Sequence, residues 1–580
     1  MEFRENAEGC LIDGSRYSAR IYLDRVPWAE LRCDSVKVFR MPLVSGLSMV
    51  DAEERLQGFT VRWDADPAGD RVECRVHAES SVWSGREFLW VFGPAMIRYR
   101  HTAAGRGKLG RCHFFSNGVS GLHDAGTSPG VDHNTWVYAA RCFSPRANHG
   151  DMFYFPTSLP QSLGITNINA ASGVYDPIQM STGMFCPPPL QLIFGGGTTW
   201  VGVGIGEKPG LHLFNNFEYS GARFAGASFY VDYLGYRTIE TGFTSPDAAI
   251  HFGFSEYDVL RQYVEWLDLS GFSTFNRFAP QPWHERPIFC GWGEQVAQGK
   301  MRGMRADDLS RQDNYTDWLS AIDARSLPVG TVVVDDKWQR EYGLFRPDGT
   351  KWPDMKAFIA GQHARGRHVL LWIPVLHAEG LPPELCIRDG NDILAADITN
   401  PAYEELLRQG IRFLVRDMGA DGFKEDWIRG FVTKPDVAMH EPMHGIEMLR
   451  RYQLIVHDEA HRHRQDALIE TQTPHPLMRE SSDMFRLNDI WFGSRDAGST
   501  MATRARIGRL AGWRRIDCDG GCSLPLAEWW KYMRLQPEIG IPSLYLLTTM
   551  ESTFEEVPCH LWDELRSLWE HYLDRRLLGK

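Results

Sequence analysis

Three short stretches of the sequence end a hydrophobic run with acidic side chains. They are TVVVDDKWQ at 331–339, DGFKEDW at 421–427 and DMFRLNDIW at 483–491. The first two are typical of buried parallel strands, because apolar or β-branched residues run into a polar end and a helical pattern follows. A carboxylate in such a place persists only if it is paired, hydrogen-bonded or in use. The pattern therefore indicates an enzyme that carries several acids around one pocket.

The stretch 421–427 offers a candidate nucleophile. The two-residue period of a strand places Gly422, Lys424 and Asp426 on one face and Glu425 on the other. If the first face points into a barrel, the Lys424 ammonium lowers the pKa of the Asp426 carboxyl, which suits a nucleophile that must stay ionised. The pattern alone is equally compatible with a structural salt bridge. Glu425 is expected to face a helix or the rim.

The stretch 331–339 offers candidate ligands for sugar hydroxyls. Asp335 and Asp336 are adjacent, and successive side chains of a strand diverge, so one of them is expected to point into the pocket. Carboxylates accept paired hydrogen bonds from neighbouring hydroxyls, and Trp338 offers a stacking face or an indole donor. The structural alternative for either aspartate is to cap the following helix.

The stretch 483–491 holds a candidate for a second catalytic carboxyl. Asp489 follows the strand, where the mouth of a barrel lies, whereas Asp483 stands near its start and remains the alternative. In a regular strand Arg486 and Asn488 point to one face and Asp489 points to the other. Asp489 reaches the same face only if the strand ends and the chain turns at Asn488. Two carboxyl groups about 5 to 5.5 Å apart are what a retaining glycosidase needs, one as nucleophile and one to protonate the leaving oxygen.

The elements that must position these residues follow from the rest of the chain, which we predict to be a multidomain β plus α/β protein. Short alternating runs broken by Gly, Pro, Asn and Asp predict an N-terminal β-sandwich over 1–255. A helical linker is predicted at 256–283, and a TIM-type catalytic (β/α)8 barrel over 284–580. The predicted barrel strands are 286–292, 329–336, 367–374, 421–426, 466–471, 482–489, 513–517 and 540–547.

Bulk composition excludes several classes of protein. The 580 residues carry a formal net charge of −12, with a pI near 5.9, which gives no basic footprint for nucleic acid. The N-terminus lacks the build of a signal peptide and no apolar run approaches a membrane span, so a cytoplasmic protein without membrane contact is expected. The 11 scattered cysteines favour reduced core thiols, and the 20 tryptophans favour a carbohydrate ligand. Homo-oligomerisation stays open.

Weaker signals favour structural explanations. VGVGIGE at 201–207 lies among strands with no helix directly after it, so strand glycines are favoured over a dinucleotide site. His457 and His461 are four apart on a predicted helix, a spacing that can bind a metal, but the helix is expected outside the barrel with both rings in solvent. Cys518 and Cys522 lack zinc-finger spacing. We therefore predict no metal and no cofactor.

The acidic stretches and their neighbours resemble glycoside hydrolase family 36, the α-galactosidase and raffinose-synthase group, which has relatives in families 27 and 31. RPIFCGWGEQ is similar to the family's first barrel strand, VVVDDKWQ to its Asp-Asp-Gly-Trp stretch and LLWIPVL to its third-strand Leu-Trp run. GFKEDW is similar to its Lys-x-Asp strand, and FRLNDIW to its Arg-x-x-Asp-Ile region. After the fifth strand the chain departs from the family: ETQTPHP replaces a signature with glycine and cysteine, which leaves other contacts open to Glu470, Gln472 and His475.

The resemblance implies a retaining α-glycosidase, α-galactosidase-like, that works through a covalent glycosyl-enzyme. It assigns the nucleophile to Asp426 and the acid/base to Asp489. The alternatives are a transglycosidase of the raffinose-synthase type and a non-catalytic carbohydrate-binding protein. The candidate substrate-binding residues, from the resemblance and from the residue types together, are Asp335, Asp336, Trp338, Trp292, Trp372, Lys424, Arg486 and Glu470.

Overall fold

The structure is a computed structural model that describes most of the chain. The described residues are 1–6, 9–66, 68–116, 134–145, 153–157, 161–163, 191–208, 210, 218–221, 227–428, 435–443, 445–490, 496–521 and 523–577. The stretch 118–189 is rich in Ser, Asn, Gly and Pro, which predicts a long loop, and much of it lies outside the described residues. Cys522 lies outside them as well. Every described cysteine is a free thiol, and all of these except Cys559 are buried, which agrees with reduced core thiols.

The first part of the chain forms antiparallel strands. In chain order these are β1 Glu2–Asn6, β2 Gly9–Asp13, β3 Tyr17–Tyr22, β4 Trp28–Cys33, β5 Val36–Pro42, β6 Leu47–Met49, β7 Leu56–Ala65, β8 Val72–Ser80, β9 Gly85–Phe92, β10 Met96–Ala104 and β11 Gly107–Phe114. There follow β12 Trp136–Val137, β13 Arg141–Phe143, β14 Tyr154–Pro156, β15 Gln161–Leu163, β16 Leu192–Gly196, β17 Thr199–Gly206, β18 Glu218–Gly221, β19 Ala227–Asp232, β20 Thr238–Ile239, β21 Gly242–Thr244 and β22 Asp247–Gly253.

These strands build three sheets among the described residues. One runs β1-β2-β3-β4-β5-β12, a larger one runs β14-β13-β16-β17-β22-β10-β9-β8-β7 with β21 beside β10, and the third runs β15-β18-β19-β11-β20 with β6 beside β11. Aromatic contacts join the layers: Tyr17 stacks on Phe252 with ring centroids 4.6 Å apart, and Phe39 meets Phe194 edge-on at 5.5 Å. The alternating sequence pattern thus corresponds to layered antiparallel sheets in which most strands bury at least one face.

A stripe of glycines on β17 makes room for the first helix, α1 Glu256–Leu269. A Cβ atom at Gly204 would lie 2.5 Å from the Tyr263 ring, and one at Gly206 would lie 2.6 Å from the Trp266 ring. The helix therefore approaches the sheet more closely than any larger residue would allow. The VGVGIGE motif is a packing surface within a strand, as the sequence pattern predicted, and the helix at the start of the predicted linker packs against it.

The second part of the chain is a parallel barrel. Its strands are β23 Ile288–Cys290, β24 Thr331–Val334, β25 His368–Pro374, β28 Gly422–Asp426, β29 Leu468–Thr471, β30 Met484–Arg486, β31 Ile516–Asp517 and β32 Ser543–Leu544, with a hairpin of β26 Cys386–Asp389 and β27 Asp392–Ala396 after β25. The sheet order is β31-β30-β29-β28-β25-β24-β23-β32, and a parallel bridge between Asp517 and Ile541 nearly closes it. Each of the eight predicted strand ranges contains one of these strands.

Helices connect most of the barrel strands. They are α2 Trp292–Arg302, α3 Gln312–Ala324, α4 Met355–His363, α5 Pro401–Arg412, α6 Ile446–His463, α7 Ala497–Leu510, α8 Leu526–Ile539 and α9 Cys559–Leu577. Between β29 and β30 the chain forms only the short 3-10 helix Pro476–Ser481, because the predicted strands 466–471 and 482–489 are too close in the sequence for a full helix. Among the described residues, no helix combines the length and the apolar character that crossing a bilayer requires.

The inward-facing side chains of the barrel change character from one end to the other. An interior apolar cluster fills the N-terminal side and reaches the mouth at one edge; it contains Ile288, Cys290, Val333, Leu370, Leu468, Met484, Ile541 and Tyr545. Nearer the C-terminal end of the strands the inward positions are charged, with Lys424 paired in register to Glu470. The fold therefore places a group of charged side chains at the C-terminal end of the barrel strands, where the mouth lies.

Gly422 tests how tightly β28 is held in the barrel. Its backbone φ is 152°, and a Cβ atom there would lie 1.9 Å from the Leu468 carbonyl oxygen on β29. We expect Gly422→Ala to lower the free energy of unfolding by about 2–4 kcal/mol, since the added methyl forces both strain and overpacking. The measurement is urea denaturation followed by circular dichroism.

The matched control is Gly361→Ala. Gly361 lies within α4, and a methyl group added there would have no atom within 4 Å outside its own helical turns. This variant is expected to raise the free energy of unfolding by about 0.5–1 kcal/mol, because alanine is the better helix former. Equal effects of the two substitutions would contradict the close contact between β28 and β29.

Candidate active site

The strand β28 sends alternate side chains into the barrel and toward the helices. Lys424 points inward, where its ammonium donates to Asp335 Oδ2 at 2.7 Å and lies 4.0 Å from Asp426 Oδ2. Burial opposes the charge on Lys424, but the Asp335 carboxylate raises its pKa well above the ordinary value. Glu425 points outward and accepts from Gln453 Nε2 of α6 at 2.7 Å. This is the division of faces that the two-residue period predicts.

Asp426 is held through both of its carboxylate oxygens. Oδ2 accepts from Trp372 Nε1 at 3.0 Å, while Oδ1 accepts from the Trp427 backbone N–H at 2.7 Å and from Gln472 Nε2 at 2.5 Å. Its side chain is 14% exposed, so the carboxylate still reaches the mouth. These donors come from three different strand ends, and together they leave the carboxylate little rotational freedom.

The charge state of Asp426 follows from a balance of burial and neighbouring cations. Burial alone would raise its pKa, but the Arg486 guanidinium, 3.3 Å away, and then the Lys424 ammonium outweigh that effect. The hydrogen bonds from Trp372 and Trp427 act in the same direction. The pKa of Asp426 is therefore below its usual value, and the group is ionised at neutral pH.

Arg486 joins the two predicted catalytic carboxyls. Its Nη2 lies 3.3 Å from Asp426 Oδ2, its Nη1 lies 3.1 Å from Asp489 Oδ1, and Nη1 also donates to Asp519. A single guanidinium that contacts both carboxylates keeps Asp426 and Asp489 less than about 10 Å apart, a range that includes the carboxyl pairs of both retaining and inverting glycosidases. The two groups therefore lie at one mouth.

The loop after β30 returns Asp489 to that mouth. The strand ends at Arg486, and Asn488 adopts a positive φ of 63°, so the chain turns where the sequence required it to turn. Buried Arg504 fixes the turn by donating to the carbonyl oxygens of Leu487, Asn488 and Asp489 at 2.8–2.9 Å. The Asp489 side chain is 46% exposed, in contrast to Asp426. It lies at the rim of the pocket.

The two acids after β24 diverge as predicted. Asp335 is buried and accepts from Lys424 and from the Cys290 thiol, the latter at 3.0 Å. Asp336 accepts from the Tyr342 hydroxyl at 2.7 Å. Burial raises the pKa of Asp336 to about 7, against the hydrogen bond from Tyr342, which lowers it. One acid is thus fixed in an inward ion pair, and the other titrates near neutrality.

The predicted substrate-binding tryptophans occupy different surroundings. Trp372 donates its indole N–H to Asp426, and Trp427 packs edge-on against it with ring centroids 5.2 Å apart. Trp292 begins α2 and is half-buried against the interior apolar cluster. Trp338 has no exposed surface and donates its indole N–H to the Trp372 carbonyl oxygen at 2.7 Å. Trp338 therefore braces β25 and does not face the mouth, which differs from the expectation of a stacking face.

Glu470 is placed beneath the mouth. Its carboxyl has no exposed surface and lies 3.7 Å from Arg486 Nε. Burial and the neighbouring Asp517 carboxyl raise the pKa of Glu470 well above its usual value, although Arg486 opposes this. Burial thus favours the neutral form of the Glu470 carboxyl. It supports Arg486 from below, and its buried position gives it no open face for a sugar.

Several residues of the site were not singled out from the sequence. Asp519, two residues after β31, is the third carboxyl on Arg486, and burial raises its pKa to about 6. The Tyr545 hydroxyl lies 3.5 Å from Lys424 Nζ. Gln472, named only as free for other contacts, binds Asp426. The sequence signal for Asp519 is the acidic residue of the CDGGC motif directly after β31, but the two cysteines of that motif are more conspicuous.

The structure separates the two candidates for the second carboxyl and corrects one prediction about α6. Asp483, the alternative for the second carboxyl, lies before β30 at the opposite end from the mouth, 3.1 Å from His461 Nε2. His457 and His461 are 1% and 2% exposed, so the prediction of a solvated face was wrong. The reason is Phe278, in the segment after α1, which stacks on His461 with ring centroids 3.8 Å apart.

Comparison with solved structures identifies the fold. An α-galactosidase from Lactobacillus brevis matches with a TM-score of 0.53 and 11% identity over 98% of this chain and 83% of that one. A GH31 family sulfoquinovosidase from E. rectale, in complex with an aza-sugar inhibitor, matches with a TM-score of 0.57 and 10% identity over 100% and 84%. TtGalA, an α-galactosidase from Thermus thermophilus in complex with stachyose, matches with a TM-score of 0.51 and 14% identity over 84% and 98%.

Sequence comparison gives a local match. No protein-family model matches the chain. A 1,3-alpha-isomaltosidase from Kribbella flavida is 30% identical over 17% of this chain and 20% of that protein, so the aligned part spans about a fifth of the length of that relative. The chain shares its fold with these α-galactosidases and with this family 31 enzyme. The sequence motifs pointed to family 36 in particular, and the comparisons show the shared fold.

Glu425 gives a pH-dependent test of the outward face of β28. Burial raises its pKa from 4.5 to about 8, whereas the unfolded chain titrates it normally. Between these values the unfolded state releases a proton that the folded state keeps, so stability is lost as pH rises through this window. We expect Glu425→Gln to become more stable relative to wild type, by at most about 1.4 kcal/mol per pH unit from pH 4.5 to 8.

The measurement is the difference in free energy of unfolding between variant and wild type at several pH values. Exposed Glu405 on α5, which accepts from Gln409, supplies the control Glu405→Gln. The stability of this control relative to wild type should not change with pH over the same window. A Glu425→Gln difference that is equally flat would contradict a buried, neutral Glu425.

Proposed function

We propose that the chain is a retaining α-glycoside hydrolase with Asp426 as nucleophile and Asp489 as acid/base. The observation that carries the proposal is the Arg486 guanidinium, which contacts both carboxylates with its two terminal nitrogens. Asp426 is half-buried and ionised, and Asp489 is at the rim. Two such acids on one cavity are what the double-displacement mechanism requires.

In the first step an oxygen of Asp426 forms a bond to the anomeric carbon while the bond from that carbon to the glycosidic oxygen breaks. Asp489 gives its proton to the leaving oxygen, which departs as an alcohol. The donors on Asp426 support this role because they keep the carboxylate ionised and oriented before attack. Rim exposure of Asp489 supports the acid role, since the aglycone must leave toward solvent.

In the second step water replaces the sugar on Asp426. Asp489 takes a proton from the water, the new bond forms at the anomeric carbon and the ester bond to Asp426 breaks. Arg486 keeps Asp519 and Asp489 as partners while Asp426 is esterified and uncharged. The guanidinium therefore remains in place through the covalent intermediate.

Sugar hydroxyls are proposed to bind at the acids and tryptophans of the mouth. Asp335 and Asp336 supply acceptors, and Lys424 supplies a donor. We take an α-galactoside as the first substrate to test, from the family 36 motifs. The local likeness to a 1,3-alpha-isomaltosidase adds α-glucosides to the panel. Transfer to an acceptor hydroxyl is the alternative outcome, and product analysis with added sugars separates it from hydrolysis.

The nucleophile is tested on a panel of aryl α-glycosides. Asp426→Gly is expected to lose about 10⁴-fold or more in kcat. Added azide should restore turnover and give the β-glycosyl azide, because the small anion attacks from the face that the carboxylate leaves vacant. Glu379→Gln at the rim, where Glu379 pairs with Lys337, is the control and should keep wild-type rates. NMR of the wild-type reaction should show the α-anomer first; an inverted first product would remove the covalent step.

The acid/base is tested by leaving-group chemistry. Asp489→Ala should lose about 10²–10⁴-fold in kcat/KM on glycosides whose leaving group needs protonation. On aryl glycosides with strongly acidic phenols the loss should be much smaller, because those phenolates depart without a proton. A loss that is the same for every leaving group would contradict the role of Asp489 and leave that of Asp426 untouched.

A further inference from the structure

A second cluster of chemically capable side chains lies at the other end of the barrel from the mouth. His457 and His461 of α6 and Asp483 before β30 are all buried, and their ligand atoms lie within 4.8 Å of one another. The spacing of four residues on a helix places the two imidazoles on one face. Both rings aim Nε2 at the Asp483 carboxylate, at 4.0 Å from His457 and 3.1 Å from His461.

The other ring nitrogens fix which atoms carry protons. His461 Nδ1 lies 3.0 Å from the Gln465 carbonyl oxygen, which only accepts, so this nitrogen carries a hydrogen. His457 Nδ1 lies 3.3 Å from Asp458 Oδ1, which favours the same tautomer. The neutral rings then present lone pairs from Nε2 toward a carboxylate. Acceptors that face each other in a buried place repel, unless a positive charge lies between them.

His457 carries the argument further. Its Nε2 is buried and has no hydrogen-bond partner among the residues that the structure describes. A proton on His461 would satisfy the contact with Asp483, but it would leave His457 Nε2 without a partner. A cation placed among the three ligand atoms would satisfy both ring nitrogens and neutralise the carboxylate, whose oxygens also accept from Asn276 Nδ2 and from the Ile469 backbone N–H.

We propose that His457, His461 and Asp483 bind a divalent transition-metal ion, with Zn²⁺ as the first choice. Two imidazole nitrogens and one carboxylate oxygen are a donor set that suits zinc. Each ring already has an acceptor on its second nitrogen, which is the arrangement that orients histidine ligands in metal sites. This site is separate from the proposed catalytic carboxyls and does not depend on the proposed function.

The position of the cluster indicates what the ion would do. Asn276 Nδ2 donates to Asp483 Oδ1 at 2.6 Å, and Phe278 covers His461, so the segment after α1 lies across the cluster. A bound ion would cross-link α6 to the start of β30 beneath this segment. The expected role is structural, because metal binding to the folded state alone adds to its stability.

Zinc content and thermal stability of the full chain test the proposal. The protein is dialysed against a chelator, then against Zn²⁺, and bound metal is measured by mass spectrometry. We expect about one zinc ion per chain and a higher melting temperature with zinc than after chelation. His457→Asn and His461→Asn should abolish both effects. His463→Asn is the matched control, because His463 lies on the same helix, half-buried and paired with Glu459.

Spectroscopy of the wild-type protein keeps the test decisive if the variants do not fold. X-ray absorption of the zinc-loaded protein should show imidazole scattering with zinc–nitrogen distances of about 2.0–2.1 Å. Co²⁺ in place of zinc should give the intense visible bands of a four-coordinate site. Wild-type protein that retains no zinc, a zinc signal without imidazole scattering, or a Co²⁺ spectrum like that of the aqueous ion would each overturn the proposal and leave a buried histidine–aspartate pair.

Discussion

The buried guanidinium of Arg486 is the interaction on which the mouth of the barrel depends. It contacts Asp426, Asp489 and Asp519, with Glu470 close beneath it. Removing a charge from water is costly, and a cation here is tolerated because carboxylates surround it. The carboxylates in turn depend on the guanidinium, because so many acids cannot share one pocket without a cation between them. The geometry of the site is therefore set by which nitrogen of the planar Arg486 guanidinium each carboxylate contacts.

The acids differ in burial and in their contacts with the cations, and their pKa values differ as a result. Asp426 stays ionised because it lies near both Arg486 and Lys424. Glu470 and Asp519, which are more deeply buried than Asp426, have raised pKa values. Carboxyl groups that share one low-dielectric place disfavour each other's ionisation. The fold thus lowers the pKa of Asp426 and raises the pKa values of two neighbouring acids, and nucleophilic attack on a sugar requires an ionised carboxylate.

Much of this arrangement is readable in the sequence, and the failures have physical causes. The hydrophobic runs locate all eight barrel strands, and the period of two assigns Lys424 and Asp426 inward and Glu425 outward. Asp519 was missed because it lies two residues beyond the end of the predicted strand 513–517, next to the more conspicuous cysteines. The burial of His461 was missed because it depends on Phe278, which is remote in the chain and carries no periodic signal.

The seam of the barrel has a consequence of its own. The strands that meet there, β31 and β32, have two residues each, and a lone bridge from Asp517 to Ile541 is the ladder between them among the described residues. Few backbone hydrogen bonds must break for this seam to part, which favours local opening there. Asp519 lies two residues after the end of β31, at the same edge of the sheet. Opening of the seam would therefore move the Asp519 carboxylate away from Arg486, while Asp426 and Asp489 stay in contact with the guanidinium. A local motion of the barrel would in this way change the electrostatics of the mouth.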